Sequence, residues 1–401
     1  MIVIIGGGHA AAQLCVGLAA AGRGSEVHLV CEETTLPYHR PPLSKSYLKT
    51  AQEELQLHRP EAWFAEAGIT LHLADPAVAI DRAGQRVRLQ SGRELAYAHL
   101  VIATGARARR LPHLDASLAN VASLRNAVDA AHLRSRLQAA ANVTVLGGGF
   151  IGLEVAAVAR GLGKQVSVLE SAPRLLARSV SAEVAAHVLQ THRDAGIDVR
   201  VGVAVGGFDG AAGRLDALHV EGRAEPVELL VLGIGSSPEH TLASDAGIAC
   251  ENGIVVDTFM QTSDPAILAI GDCTSFPDAH SGRRVRLESV QNANDQARTA
   301  LATLAGTPQP YRALPWFWSE QGSLRLQMAG LMPADGTRHR RPGPGPSGFS
   351  ILHYVGPRLA CVESVNAPLD HLTARKLLEA SRSPEPSIAC DPAVPLKSLL
   401  A

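Results

Sequence analysis

One design occurs twice in this 401-residue chain and limits what it can fold into. In the first copy, Ile2-Val3-Ile4-Ile5 runs directly into Gly6-Gly7-Gly8-His9-Ala10-Ala11. An Ala-rich apolar segment then extends to Ala21 and is closed by Gly22. Val27-His28-Leu29-Val30 follows and leads to Cys31-Glu32. In the second copy, Val143-Thr144-Val145-Leu146 precedes Gly147-Gly148-Gly149-Phe150-Ile151-Gly152. A helical segment ends at Gly163, and Val166-Ser167-Val168-Leu169 leads to Glu170. Each copy reads as strand, glycine turn, helix, strand and acid, the fingerprint of a dinucleotide-binding βαβ unit. The first glycine permits the tight turn, and the second lets the backbone approach a pyrophosphate. The third position, Ala11 or Gly152, lets helix and strand pack closely. Each acid stands a little over 20 residues beyond its first glycine, close to the spacing of about 20 at which a carboxylate reaches a ribose diol. The pyrophosphate belongs on the helix N-terminus, where free N–H groups and the helix dipole favour an anion.

Length and charge narrow the class. A chain of this size exceeds one core, so two or three domains are expected. A formal net charge of −1 gives no general attraction to nucleic acid or an anionic membrane. The six cysteines form no C-x-x-C and no zinc spacing, and read as thiols in a reducing cytosol. Ile2 to Gly22 carries no charged side chain, but it lacks a basic leader and is broken by three glycines. It is therefore read as a buried strand and helix, and the protein as cytoplasmic.

Between the copies, a Pro-stiffened loop runs from Thr34 to Lys45, in which Ser44 is expected to cap the next helix. Leu55 to Gly68 has a helical pattern. Val87 and Leu89 alternate with Arg86 and Arg88 as in a half-buried strand. Leu100 to Gly105 reads as a buried strand and Arg107 to Pro112 as a linker. After the second copy, Glu228 to Gly235 echoes Leu100 to Gly105. Ala266 to Asp272 is a strand ending in Gly-Asp, and Ser289 to Ala305 is helical. From Pro315 the pattern changes to α+β. Trp316, Phe317 and Trp318 cluster, and Ser350–Val355 and Arg358–Val365 form a hairpin across Gly356-Pro357. Asp370 is expected to cap a helix reaching Ser381. Arg338–Arg341 and the run to Gly348 are expected to form an exposed loop.

Arg40-Pro41-Pro42-Leu43-Ser44-Lys45, Gly147 to Glu154, Ile270-Gly271-Asp272 and Pro315-Trp316-Phe317-Trp318-Ser319 together resemble the oxygenase-coupled NADH–ferredoxin reductases. The resemblance covers essentially the whole chain. It implies an α/β fold of two Rossmann-like three-layer ββα domains, one for FAD and one for NADH, with a C-terminal α+β domain built on an antiparallel sheet. The implied limits are 1–110 with 237–313 for FAD, 111–236 for NADH and 314–401 for the last domain. Electrons would pass from NADH through FAD to a 2Fe–2S ferredoxin, and indirectly to a haem monooxygenase or Rieske oxygenase. A monomer or weak homodimer is expected, with no nucleic-acid or membrane partner and no metal.

The resemblance also implies roles. Gly6, Gly8, Ala10 and Glu32 would hold the adenosine end of FAD, beside His9 and Ala11. Arg40, Pro42, Lys45, Val78 and Arg125 belong to the same cofactor set. So do Ala103, Thr104, Gly105, Gly271, Asp272, Ser289, Val290 and Trp318. Gly147, Gly149, Phe150, Ile151 and Gly152 would take NADH, with Glu154, Glu170, Ser171, Arg178, Gly233, Ile234 and Gly235.

Hydride transfer between such cofactors needs no strong base, so positioning and electrostatics are the protein's share. Lys45, Glu154 and Trp318 are the candidate catalytic residues. Lys45 would stabilise the reduced flavin and pair with Glu154 in the first helical turn. Trp318 would lie beside the flavin. Glu170 favours NADH, because a carboxylate accepts from the 2′-hydroxyl and repels a 2′-phosphate, although Arg174 and Arg178 stand nearby. Arg283, Arg284, Arg286, Arg312, Arg325 and Arg338–Arg341 are candidates for a basic docking patch. Two alternatives share the scaffold. One is an NADH oxidase, peroxidase or disulfide reductase, which needs a redox cysteine, and residues 33 to 60 contain none. The other is an NADH-sensing flavoprotein like apoptosis-inducing factor.

Overall fold

The computed structural model describes every residue except Ala116, Pro346 and Ala401. The chain divides into two compact units. Unit 1 holds Met1–Arg40, Leu55–Arg107 and Ser237–Pro315; unit 2 holds Pro41–Glu54, Ala108–Ser236 and Trp316–Ala401.

Unit 1 is built on a five-stranded parallel sheet. Ile2–Ile5 lies at its centre, between Val27–Val30 and His99–Ile102; Thr70–His72 and Ile267–Ala269 form the edges. All four residues of Ile2–Ile5 are buried, as expected for a strand covered on both faces. Each fully buried Ile or Val there contributes roughly 2 kcal/mol. The helix His9–Ala20 packs on the helix Val290–Leu304, and a Cβ at Gly17 would stand 2.6 Å from Leu301 Cδ2. The unit also holds a small antiparallel sheet, Ala77–Asp81, Arg86–Leu89 and Glu94–Ala96, with Val87 and Leu89 inward and Arg86 and Arg88 outward.

Unit 2 repeats the plan. Asn142–Leu146 is central in a parallel sheet between Gln165–Glu170 and Leu229–Leu232, with Asp198–Val201 and Val121–Ser123 at the edges. The same unit contains a five-stranded antiparallel sheet ordered Trp316–Gln321, Leu324–Gly330, Arg358–Val365, Phe349–Val355, Thr337–Pro342. Pro368–Glu379 is its helix. The turn between its first two strands needs Gly322, whose φ is +63°.

Several local expectations fail for identifiable reasons. Ser44 does not cap a helix; its hydroxyl donates to Glu154. Only Glu61–Glu66 of the Leu55–Gly68 stretch is helical, because Pro60 biases Arg59 away from helical geometry. Asp370 lies inside its helix, whose N-cap is Ala367, and its carboxylate meets Ser350 and Arg341 instead. Arg338–Arg341 is a strand, Thr337–Pro342, and not an exposed loop. Arg341 is buried and donates to the carbonyls of Ala389, Asp391 and Val394. Arg284 likewise donates to the carbonyls of Val256 and Ser275, and Arg286 pairs with Glu288. Arg341 and Arg284 thus brace backbone and Arg286 an acid, whereas Arg283, Arg312, Arg325, Arg338 and Arg340 are exposed. The expected loop also includes Pro346, which lies outside the described residues.

Candidate active site

The two glycine turns solve the same steric problem. Gly6 has φ +118° and Gly147 φ +108°. A Cβ at Gly6 would collide with the carbonyl oxygen of Ala103; at Gly147 it would lie 2.5 Å from that of Gly233. The third position is also tight in the second turn, where a Cβ on Gly152 would strike the Gly147 carbonyl. The middle glycines differ. A Cβ on Gly8 would come no nearer than 4.0 Å to Arg40 Nε, and on Gly149 no nearer than 3.6 Å to the Gly233 carbonyl. These positions are bare where backbone must admit something else.

Capping reinforces this. The helices Ala127–Ala139, Ala182–Asp194 and Val290–Leu304 have N-terminal N–H groups satisfied by Asn126, Ser181 and Ser289. His9–Ala20 and Phe150–Gly161 begin at Gly8 and Gly149, with no side-chain cap. A glycine-lined helix N-terminus without a side-chain cap suits an anionic pyrophosphate. Both turns therefore fit a dinucleotide.

The neighbouring residues fall into two groups. In unit 1, Gly271 brings the Gly-Asp segment against the first helix, since a Cβ there would lie 3.2 Å from Ala10 Cβ. Asp272 follows it. Ala103 donates its N–H to Ile5, the Thr104 hydroxyl donates to the Glu239 carbonyl, and the Gly105 carbonyl accepts from Glu239 N–H. Glu32 is exposed and takes both terminal nitrogens of Arg107 at 3.1–3.2 Å; Arg107 also reaches Glu239. Arg40 pairs with Glu33 at 2.7 Å. Val78 is 49% exposed on the small antiparallel sheet. Ser289 is occupied as a helix cap, directly before Val290.

In unit 2, Glu170 accepts from Gly148 N–H and Ala172 N–H, both at 2.6 Å, and from Ser171 Oγ at 3.4 Å. It thus braces the glycine turn from the end of its strand. A Cβ on Gly235 would lie 3.7 Å from Arg178, whereas Arg174 is tied to the carbonyls of Ala177 and Val180. Gly233 donates to Leu146 O, Ile234 follows it, and Ile151 is exposed at the start of the helix. Pro42 lies in the short 3-10 turn Pro41–Ser44, and Arg125 donates its N–H to Asp129.

The same unit assembles a polar knot around Glu154. This carboxylate is 3% exposed. Its Oε2 accepts from Lys45 Nζ at 2.7 Å and from Ser44 Oγ at 2.5 Å; its Oε1 accepts from Ser319 Oγ at 2.6 Å. Three donors, one of them cationic, compensate a buried anion. Glu154 lies in the second helical turn and not the first, because the helix already starts at Phe150. Its partners come from a loop and from the strand Trp316–Gln321. Phe150 packs against Phe317, with ring centroids 4.7 Å apart. Trp318 is half-buried, 5.6 Å from Trp316, which itself lies under Arg375. Sequence reasoning paired Lys45 with Glu154 but missed Ser44 and Ser319 as donors. Both stand in quoted motifs, so hydroxyls flanking a charged motif were the available signal.

The thiols show no redox arrangement. All six cysteines are free. Burial pushes the Cys31 thiol up to about 12 and Cys273 up to about 11, so both are protonated near neutrality.

Residues 1–297 match the family model for pyridine nucleotide-disulphide oxidoreductases, and residues 316–400 match the reductase C-terminal model. Rhodocoxin reductase of Rhodococcus erythropolis is 42% identical, over 100% of this chain and 94% of its own length. Putidaredoxin reductase of Pseudomonas putida is 39% identical, over 100% and 96%. Among solved structures, a ferredoxin reductase from Rhodopseudomonas palustris superposes with a TM-score of 0.96 at 41% identity, covering 100% of this chain and 99% of that one. The covalent putidaredoxin reductase–putidaredoxin complex gives 0.95 at 38%, covering 100% and 97%. The repeated glycine turns, the parallel sheets that carry them and the C-terminal antiparallel sheet are thus the frame of a shared lineage: the chain belongs to the pyridine nucleotide-disulphide oxidoreductases, in the group of oxygenase-coupled ferredoxin reductases.

Proposed function

We propose that this protein passes electrons from NADH through FAD to a 2Fe–2S ferredoxin, which feeds a haem monooxygenase or Rieske oxygenase. The observation that carries this reading is the pair of uncapped glycine-turn helices in a chain whose cysteines are all free. Electron exchange between two dinucleotides needs no dithiol. FAD, when bound, supplies the conversion of a two-electron donor into single-electron steps.

Gly6, Gly8 and the N-terminus of His9–Ala20 hold the FAD pyrophosphate, with Glu32 at the adenosine end. Gly147, Gly149 and the N-terminus of Phe150–Gly161 hold NADH, with Glu170 at its ribose. Lys45 would stabilise negative charge on a reduced cofactor held there. Glu154, fixed by Ser44 and Ser319, holds the ammonium in place, which is pre-organisation of charge. Trp318 shields the reacting ring. The domain limits 1–110 with 237–313, 111–236 and 314–401, and a cytoplasmic location, belong to the same reading. Among the described residues no helix is long and apolar enough to cross a membrane.

The test is NADH-driven cytochrome c reduction by the purified flavoprotein across a panel of 2Fe–2S ferredoxins. A rate that depends on one added ferredoxin is expected. Rapid NADH oxidation by oxygen or peroxide, unchanged by every ferredoxin, would overturn the reading.

A further inference from the structure

Two histidines without a role so far, His39 and His58, converge in unit 1 on His9, which also belongs to the cofactor set. The ligand nitrogens of His9, His39 and His58 all lie within 4.8 Å of one another. The fold builds this cluster from three places. His9 is the first residue of the first glycine helix and is 8% exposed. His39 and His58 sit on two extended segments paired in antiparallel fashion. His39 N–H donates to the Gln56 carbonyl at 2.8 Å, His58 N–H donates to the Pro37 carbonyl at 2.9 Å, and Tyr38 is bridged to Leu57. That register puts His39 and His58 on one face as diagonal neighbours and turns Tyr38 to the other. Their ring centroids are 3.9 Å apart, and His58 lies edge-on to His9 at 4.7 Å.

The chemistry of the cluster is that of a ligand set. His58 Nε2 is buried and makes no hydrogen bond, an expensive state for a polar atom unless something else satisfies it. Burial lowers the basicity of His39, and brings that of His58 down to about 4. A neutral imidazole is the form that binds metal. Nearby cations are engaged: Arg40 is paired with Glu33, and Arg59 lies over the Trp63 ring. Tetrahedral zinc at about 2.0–2.1 Å from each nitrogen needs the nitrogens roughly 3.4 Å apart, within reach of small ring rotations. His39 is exposed and leaves a path for the ion and for a water in the fourth position.

We propose that His9, His39 and His58 form a three-imidazole site for a divalent transition-metal ion of the zinc class. Such an ion ties the segments around His39 and His58 to the N-terminus of the first glycine helix. It steadies the frame of the dinucleotide site without joining the electron path.

The test uses FAD-loaded protein, freed of metal with a chelator and then titrated with Zn²⁺ and Co²⁺. Expected are one ion per chain, the intense visible bands of tetrahedral Co²⁺, and a rise in Tm with added Zn²⁺. His39→Asn and His58→Leu should each weaken binding at least tenfold while keeping FAD and NADH-dependent ferricyanide reduction. If His58→Leu loses FAD, His39→Asn carries the test, since that ring is exposed. Unchanged stoichiometry and affinity in the variants would overturn the site. So would a six-coordinate Co²⁺ spectrum in the parent protein.

Discussion

The two glycine turns share backbone, steric logic and bare helix N-termini, yet what surrounds them differs. In the first, the strand-end acid Glu32 is exposed and held by Arg107. In the second, Glu170 folds back to accept from Gly148 and Ala172. The position of the first helix that corresponds to Glu154 is Gln13, a neutral residue. The second helix places its buried carboxylate there and attaches Lys45, Ser44 and Ser319 to it. One copy carries a plain nucleotide cradle; the other carries a cradle with a charge network built into its helix. The fingerprint specifies a fold for a pyrophosphate, and the residues around it are what set the two copies apart.

The largest expected effect separates packing from binding within one turn. Gly6→Ala forces a Cβ into the Ala103 carbonyl at a positive φ, where strain alone costs roughly 1–2 kcal/mol before the clash is counted. It should fail to accumulate as a folded flavoprotein. Gly8→Ala meets no neighbour and should fold with a near-normal apoprotein Tm, but retain little FAD. Equal apoprotein stability in the two variants would show that the first turn is not divided in this way.

Next comes the charge network. Glu154→Gln gives the second helix the residue that the first already has, keeping an acceptor oxygen for one serine but losing the ion pair. Stopped-flow hydride transfer from NADH should slow about tenfold, while Lys45→Met should slow it about a hundredfold. Lys45→Met also strands a buried carboxylate, a loss on the order of 2–3 kcal/mol visible in Tm. Hydride transfer at the parent rate in both variants would reduce the network to packing.

Smaller again is nucleotide choice. Glu170→Gln removes the charge that repels a 2′-phosphate, leaving Arg178 beside Gly235. The ratio of kcat/KM for NADH over NADPH should fall roughly tenfold, equivalent to about 1.4 kcal/mol. The same change at Glu32 should leave that ratio alone. A shift from Glu32→Gln and none from Glu170→Gln would reverse the assignment of the two sites.

What could be read from the residues follows from how local each feature is. Glycine turns are steric facts of a few consecutive residues, so Gly6, Gly147 and their flanking strands were legible, as was the helix that begins at Ser289. The Glu154 knot joins residues 44, 45, 154 and 319, and nothing in sequence links Ser319 to Ser44. Arg338–Arg341 looked like solvated surface because composition cannot show that Arg341 reaches three carbonyls. The histidine cluster was invisible for the same reason, since pairing of residues 37–39 with 56–58 is a tertiary event.

The last prediction concerns acid stability, and it separates the C-terminal sheet from both nucleotide cradles. His371 lies beneath Trp316 on the C-terminal helix, 1% exposed, and neither ring nitrogen has a hydrogen-bond partner. Burial, aided by Arg375 and Arg325, lowers its pKa to about 4 from an ordinary 6.5. Between those values the unfolded chain binds a proton that the folded chain refuses, so stability falls as pH drops from about 6.5 towards 4. His371→Leu keeps the apolar contact with Trp316 and removes the proton uptake. Its Tm should match the parent near pH 8 within about 2 °C and decline less steeply below pH 6. FAD retention across the same range should be unchanged, because the cradle lies in unit 1. An acid limb identical to that of the parent would assign the loss of stability to another group.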